Sequence, residues 1–366
     1  MQDFSGKNTT LVHICCSVDS HHFLTKLIEK YPEKNFCGFF YNPNIHPFDE
    51  YKLRLMDVER SCERLGIPLI VGDYHLKEWL DGSKGLEDAP EKGERCSYCF
   101  DFRLEESAKV AIKNNCAEFT TTLLASPMKS QGELFSQGQK IAQKYNLEFL
   151  PIDVRSNGGT KEQNELAKQE QLYRQNYCGC LYALSAQRKK ASKIPLELIS
   201  SLNATKTEKN LPNIRLKNFK FRQNLEKSNK PYKIIKRKVQ KYQLLKGVLE
   251  CDGGVVPSFI CSYSMLNKPT KAKIDFYHNG VGYANKDGIL ILDFSFFKEF
   301  LGVESFEILL KEGLSEERQL KLRQTLYNQA FFAAPIVIIK EKLESEFKLD
   351  ISYILQEEVL EEILEL

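Results

Sequence analysis

Three close cysteine pairs in the first half of the chain constrain its fold more than any other feature: Cys15-Cys16, Cys96-Ser97-Tyr98-Cys99 and Cys178-Gly179-Cys180. Thiols spaced this tightly and this far apart in sequence act together only if the backbone carries them to one place. In a reducing compartment such clusters ligate metal or react, and seldom form disulfides. The chain holds 11 cysteines in 366 residues. The other five, Cys37, Cys62, Cys116, Cys251 and Cys261, stand alone, mostly in apolar contexts, and read as structural.

The surroundings of the pairs read as an α/β domain. Thr9 to Cys15, Asn35 to Tyr41, Pro68 to Gly72, Glu118 to Leu123 and Leu147 to Ile152 have strand character. Phe48 to Leu65, Phe102 to Asn114, Gly132 to Tyr145 and Glu162 to Arg174 carry apolar residues at helical spacing. This alternation predicts a Rossmann-like, mostly parallel sheet with helices on both faces. Ligands of such sheets bind beyond the carboxyl ends of the strands, where Cys15 and Cys16 fall.

Each pair has chemistry of its own. His13-Ile14-Cys15-Cys16-Ser17-Val18-Asp19 closes a strand and opens a helix, so both thiols can face one cavity. Cys96 and Cys99 begin a helix beside Arg95, and that terminus favours thiolate over thiol. Gly179 permits a tight bend that lets Cys178 and Cys180 converge. Six thiols plus Asp19 exceed the four ligands of one tetrahedral zinc and suit a cluster with a second metal or a redox dithiol, while two structural zinc sites remain open on spacing alone. The run Cys-Cys-Ser-Val-Asp-Ser echoes the S-G-G-x-D-S loop of ATP pyrophosphatases. Its phosphate-cradling glycines are missing here, which points to a shared fold without the nucleotide chemistry.

The segments LVHICC, FFYNPNIHPFDEYKLR (39–54), RCSYCFDFRLEESA (95–108), FTTTLLASP (119–127) and LYRQNYCGCLYA (172–183) together resemble the QueH family of epoxyqueuosine reductases, over roughly residues 8–190. The resemblance implies an ATP-pyrophosphatase-like (HUP-like) fold and an oxidoreductase. Its expected reaction is the two-electron reductive deoxygenation of epoxyqueuosine to queuosine at the wobble position of tRNA. It implies a [4Fe-4S] cluster and a second metal ion, iron or zinc. Carried over, Cys15, Cys16, Asp19, Cys96 and Cys99 are cofactor-binding candidates, and Cys15, Cys16, Cys96, Cys99, Cys178 and Cys180 are the thiolate metal ligands. A working division sets Cys16, Asp19, Cys96 and Cys99 on the cluster and Cys15, Cys178 and Cys180 on the second metal or as a redox pair. Many members carry a third cysteine where this chain has Asp19, which can ligate iron or cap the following helix. Tyr98, Tyr177 and His46 are candidate proton donors, with His13 a further one by position. The partners implied are tRNA bearing epoxyqueuosine and an electron donor.

Other features complete the expectations. The loop Tyr41 to Pro47, with two prolines and two asparagines, reads as substrate-facing. Thr120 to Thr122 and Ser126-Pro127 end a strand, Arg103, Arg155 and Arg174 could meet anticodon phosphates, and Trp79, the one tryptophan, reads as core. Between Arg188 and Lys246 there are 18 basic residues against three acidic, whereas from Leu301 to the end there are 14 acidic against seven basic. The basic stretch could face phosphates or be a solvated linker. The expected domains are an iron-sulfur α/β domain (1–191), a basic linker (192–242) and a smaller α+β domain (243–366). In the last, Asn279-Gly280 and Asp287-Gly288 turns punctuate a β-meander, and helices are expected at Glu316 to Phe331 and Ser352 to Leu364. No apolar run approaches the ~18 residues of a membrane span, and the start lacks a signal-peptide pattern, so no membrane partner and a cytoplasmic address are expected. Two other functions fit the residues alone: an ATP-dependent tRNA thiolase and a non-catalytic zinc-binding RNA module.

Overall fold

A computed structural model of the protein describes residues 8–175, 177–195, 198, 211–329 and 332–366. The chain divides into two compact units, Met1–Ile194 and Pro195–Leu366.

The first unit alternates strand and helix as its hydrophobic pattern dictates. In order these are β1 (Thr9–Ile14), α1 (Ser17–Lys30), β2 (Asn35–Phe40), α2 (Phe48–Leu65), β3 (Leu69–Val71), α3 (Leu76–Gly82), α4 (Glu94–Lys113) and β4 (Glu118–Thr121). A 3-10 turn (Thr122–Ala125) follows, then α5 (Gln131–Tyr145), β5 (Glu148–Phe149), α6 (Gly159–Gln169) and α7 (Leu181–Lys190). The five strands pair in parallel in the order β3-β2-β1-β4-β5, the Rossmann-like arrangement. Helices cover both faces, so all six residues of β1 are buried, including the polar Thr9, Thr10 and His13. One core cluster joins Leu11, Val12 and Ile14 of β1 to Phe39 and Phe40 of β2, Leu104 of α4 and Phe119 of β4. Strand order reverses at β1, between it and β4, with β2 on its other side. The crevice at its carboxyl end therefore opens where Cys15 and Cys16 lie. The structure extends α4 upstream of the expected Phe102, so that both Cys96 and Cys99 ride its first turns.

The second unit has two sheets and separate cores around Leu292 and Leu249. The strands Ile274–His278, Val281–Ala284 and Leu290–Asp293 form the expected meander, and Ile336–Ile339 and Ser258–Ile260 extend it to five strands. Asn279 and Gly280 both have positive φ, as a tight two-residue turn requires. The helix expected from Glu316 is present as Glu316–Tyr327; Phe331 lies outside the described residues.

Two expectations fail here. The helix expected over Ser352 to Leu364 is part of a long strand, Phe347–Glu365. The stretch expected to be a basic linker contains a helix, Leu211–Lys227, and the start of a second long strand, Tyr232–Cys251. The two strands pair antiparallel along their whole length. Glu, Leu and Ile of the terminal segment favour a helix locally, but a continuous ladder and opposite charges on the two strands override that preference. Lys236 reaches Glu361 at 3.2 Å, Arg237 reaches Glu362 at 2.6 Å and Lys238 reaches Glu357 at 3.0 Å. The basic and acidic stretches of the sequence thus answer each other, and part of the positive charge available for phosphates is spent within the fold. Among the described residues no helix is long and apolar enough to cross a membrane.

The second unit is pinned by Arg323, which is fully buried and donates to the carbonyls of Ser262, Phe332 and Ala334 and to Ser264 Oγ. Arg323→Met would strand four acceptors and is expected to cost about 3 kcal/mol. Hydrogen exchange should show the Ile336–Ile339 amides losing protection by that amount while β1 amides keep theirs; unchanged protection would contradict this role.

Candidate functional site

All three cysteine pairs sit at helix N-termini. Cys16 is the N-cap of α1, Cys96 and Cys99 lie in the first turns of α4, and Cys180 caps α7 with its sulfur accepting the Ala183 amide at 3.3 Å. Cys96 Sγ accepts the Lys92 amide, also at 3.3 Å. The three termini converge on one cavity of about 330 Å³ lined by Cys15, Cys16, Cys96, Cys178, Cys180 and Asp19. That volume falls in the range of small-molecule sites, ~300 to 1,000 Å³.

Within it, Cys15, Cys16 and Asp19 bring their ligand atoms within 4.8 Å of one another, the one such group of three among the described residues. Cys15 Sγ lies 3.7 Å from Cys16 Sγ and 3.6 Å from Asp19 Oδ2, while Gln163 Nε2 donates to Asp19 Oδ1 at 2.8 Å. Cys99 does not line the cavity. It packs with Trp79, Cys180 and Ala183, against which Cys178 and Tyr98 also rest. Cys15 thus stands beside Cys16 and Asp19, and Cys99 beside the turn of Cys178 and Cys180.

That turn needs its glycine. Gly179 has φ +126°, and a Cβ there would approach Ile45 Cγ1 to 2.9 Å and Arg54 Nη1 to 3.1 Å. The carbonyls of Tyr177 and Cys178 accept from the buried Arg54 guanidinium, each at 3.0 Å, and the Gly179 carbonyl accepts from the His46 amide at 2.9 Å. The loop Tyr41 to Pro47 thus docks on the third cysteine pair.

Buried thiolates demand buried cations, and the cavity supplies them. Lys129 Nζ stands 3.0 Å from Cys178 Sγ. Arg103 Nη1 stands 3.9 Å from Cys99 Sγ and its Nη2 donates to Asn42 Oδ1 at 2.7 Å. Among the described residues neither cation forms an ion pair with a carboxylate. Burial opposes ionisation of Cys178, yet Lys129, Arg103 and Arg54 together hold its thiol below the usual range. Burial likewise works to lower the Lys129 ammonium, but the Cys178 sulfur keeps it above its ordinary value. Cys15 is held low because the Cys16 thiol donates to it, and Cys16 is raised well above the ordinary range by the same contact. Burial raises Asp19 and Cys99, and it lifts Cys180 to about 12.

The candidate proton donors are placed unevenly. Tyr177 lines the cavity and donates to the His46 carbonyl at 2.6 Å. Tyr98 donates to the Trp79 carbonyl at 3.2 Å, His46 has a buried Nδ1 without a hydrogen-bond partner among the described residues, and neither lines the cavity. His13 is held between Thr121 Oγ1 and the Tyr41 carbonyl, and burial keeps it neutral well below its usual pKa. Arg103 is 2% exposed and serves the site, so it cannot meet phosphates. Arg155 is likewise occupied, donating to the carbonyls of Leu124 and Lys129, whereas Arg174 is exposed beside Asn164. Cys37, Cys62 and Cys261 are buried, each raised to about 12 by burial. Sequence reasoning missed Lys129 and Gln163, because no local pattern marks a lysine or glutamine that meets its partner only after long-range folding.

Lys129→Met removes the nearest of the three cations acting on Cys178. In metal-free protein its thiol should then titrate at higher pH, and its alkylation near neutral pH, followed by peptide mass spectrometry, should slow about tenfold. An unchanged rate would contradict the charge pairing.

Comparison with known proteins identifies the family. The family model for epoxyqueuosine reductase QueH matches residues 10–186. An epoxyqueuosine reductase QueH of Helicobacter pylori is 37% identical over 364 residues, covering 95% of this chain and 98% of that protein. One from Thermotoga maritima is 35% identical over 189 residues, covering 51% of this chain and 95% of that protein. Two solved structures are distantly similar. One is a predicted subunit of tRNA methyltransferase from Methanocaldococcus jannaschii (TM-score 0.34, 16% identity, 52% of this chain and 92% of that one). The other is the U34-tRNA thiolase NcsA from Methanococcus maripaludis with its [4Fe-4S] cluster (TM-score 0.33, 17% identity, 62% of this chain and 70% of that one). With a relative matched across both units at that identity, the chain belongs to the epoxyqueuosine reductase QueH family of oxidoreductases.

Proposed function

We propose that this chain reduces epoxyqueuosine to queuosine at the wobble position of tRNA, using a [4Fe-4S] cluster and a second metal ion, iron or zinc. The observation that carries the reading is the gathering of Cys15, Cys16 and Asp19 within 4.8 Å, in a cavity that further thiols from two other motifs also line.

The donor set fits both groups. Two thiols and a carboxylate suit a single ion that keeps an open position, so Cys15, Cys16 and Asp19 are assigned to it. The four remaining thiols, Cys96, Cys99, Cys178 and Cys180, match the four irons of a cluster. Backbone amides and the cations Lys129, Arg103 and Arg54 offset the negative charge such ligands gather. When bound, the cluster supplies electrons one at a time and the ion a Lewis acid for the epoxide oxygen.

The overall change consumes two electrons and two protons and releases the epoxide oxygen as water. An external donor supplies the electrons. The chain's part is to hold, orient and protonate. A cavity of about 330 Å³ cannot take an anticodon loop, so only the substituent of the modified base enters it. Among proton-bearing side chains at the cavity, Lys129 joins Tyr177 as a donor candidate, with Tyr98 and His46 outside the lining. Gln163 fixes one Asp19 oxygen and leaves the other toward Cys15.

The test is nucleoside analysis of tRNA from a queuosine-making strain that lacks its own reductase and expresses this chain. Queuosine should replace epoxyqueuosine; persistence of epoxyqueuosine alone would refute the activity. Cys96→Ser should abolish both the iron-sulfur absorption near ~400 nm and queuosine formation. Cys251→Ser, in the second unit, should preserve both, and loss of activity in it would show that the assigned ligand set is incomplete.

A further inference from the structure

Beside its thiols and cations the cavity carries two amide groups that the reading above leaves unused. Asn44 is 2% exposed, lines the cavity, and its Oδ1 has no hydrogen-bond partner among the described residues. Gln175 lines the same cavity, and its Oε1 is also buried without a partner there. Buried carbonyl oxygens are almost always satisfied, so two orphans on residues that line one ligand-sized cavity point to donors that come from within it.

The neighbouring Asn42 shows the contrast. Its amide donates to the Ile14 carbonyl at 2.8 Å and its oxygen accepts from Arg103 at 2.7 Å, so it is fully engaged in holding β1 to α4. Asn44 has no such duty for its oxygen, yet its loop is fixed on either side. The Tyr74 hydroxyl donates to the Ile45 carbonyl at 2.5 Å, and the His46 amide donates to the Gly179 carbonyl at 2.9 Å. The orphan oxygen is therefore held in place by the fold.

We propose that Asn44 and Gln175 determine specificity by accepting hydrogen bonds from the hydroxyl groups of the substrate's five-membered ring. The inference rests on the reductase reading. Epoxyqueuosine carries, on the 7-aminomethyl group of its deazaguanine, a cyclopentane with one epoxide and two hydroxyls. Hydroxyls donate; an epoxide oxygen only accepts. Amide oxygens thus attract the diol and cannot bond the epoxide, which is left to face Lys129, Arg103 and the Cys15, Cys16 and Asp19 group. A substituent without the ring leaves both oxygens orphaned, and a site built to bond a hydroxyl rejects an analogue that lacks it.

The metal-loaded full chain would be titrated with two tRNAs, one bearing epoxyqueuosine and one bearing the 7-aminomethyl base without the ring. The natural protein should prefer the first. Asn44→Leu and Gln175→Ala should each weaken binding of the epoxyqueuosine tRNA about tenfold, leave the other tRNA unaffected and keep the iron content. Asn44→Asp, which retains acceptor oxygens, should keep most of the preference. Should Asn44→Leu fail to fold, Gln175→Ala decides. Equal loss on both tRNAs, or no loss on either, overturns the assignment. Absence of any preference in the natural protein overturns this inference alone, since the reductase reading is decided by whether queuosine forms.

Discussion

Sulfur gathered out of water as thiolate must be met by positive charge held just as firmly, and the first unit is arranged around that requirement. Backbone amides supply part of it, donating to the sulfurs of Cys96 and Cys180. Lys129 beside Cys178 and Arg103 beside Cys99 supply the rest. These cations are themselves buried, and neither forms an ion pair with a carboxylate among the described residues, so each depends on the sulfur as much as the sulfur depends on it. Arg103 also holds Asn42, which ties the end of β1 to the loop before α2. The charge pairing thus extends from the sulfurs into the backbone of the sheet edge.

The parallel sheet makes the convergence possible. With strand order reversing between β1 and β4, the segments that follow these two strands open toward the same crevice, which the loop after β2 also lines. Gly179 then lets the third cysteine pair come close against Ile45 and Arg54, so that motifs more than a hundred residues apart share one cavity.

Much of this was legible in the residues. β1, α2 and the meander around Asn279-Gly280 follow from periodicity and turn chemistry, and the cysteine spacing pointed to one site at the carboxyl end of β1. What was illegible depends on contacts between distant segments. Lys129 has no local signature because its partner is 49 residues away. Arg103 looked like a phosphate contact because burial cannot be read from an arginine on an amphipathic helix. The segment Ser352 to Leu364 has the composition of a helix and becomes a strand because Tyr232–Cys251 offers it a ladder and complementary charge.

The proposed reaction is the reduction of a modified base in a thiol-lined cavity, and electron counting tests it most directly. Reduced, metal-loaded protein mixed anaerobically with a limiting amount of epoxyqueuosine tRNA, without ATP, should form one queuosine for every two electrons withdrawn from the protein and its donor. Queuosine formed without electron uptake, or tRNA altered only when ATP is consumed, would contradict it.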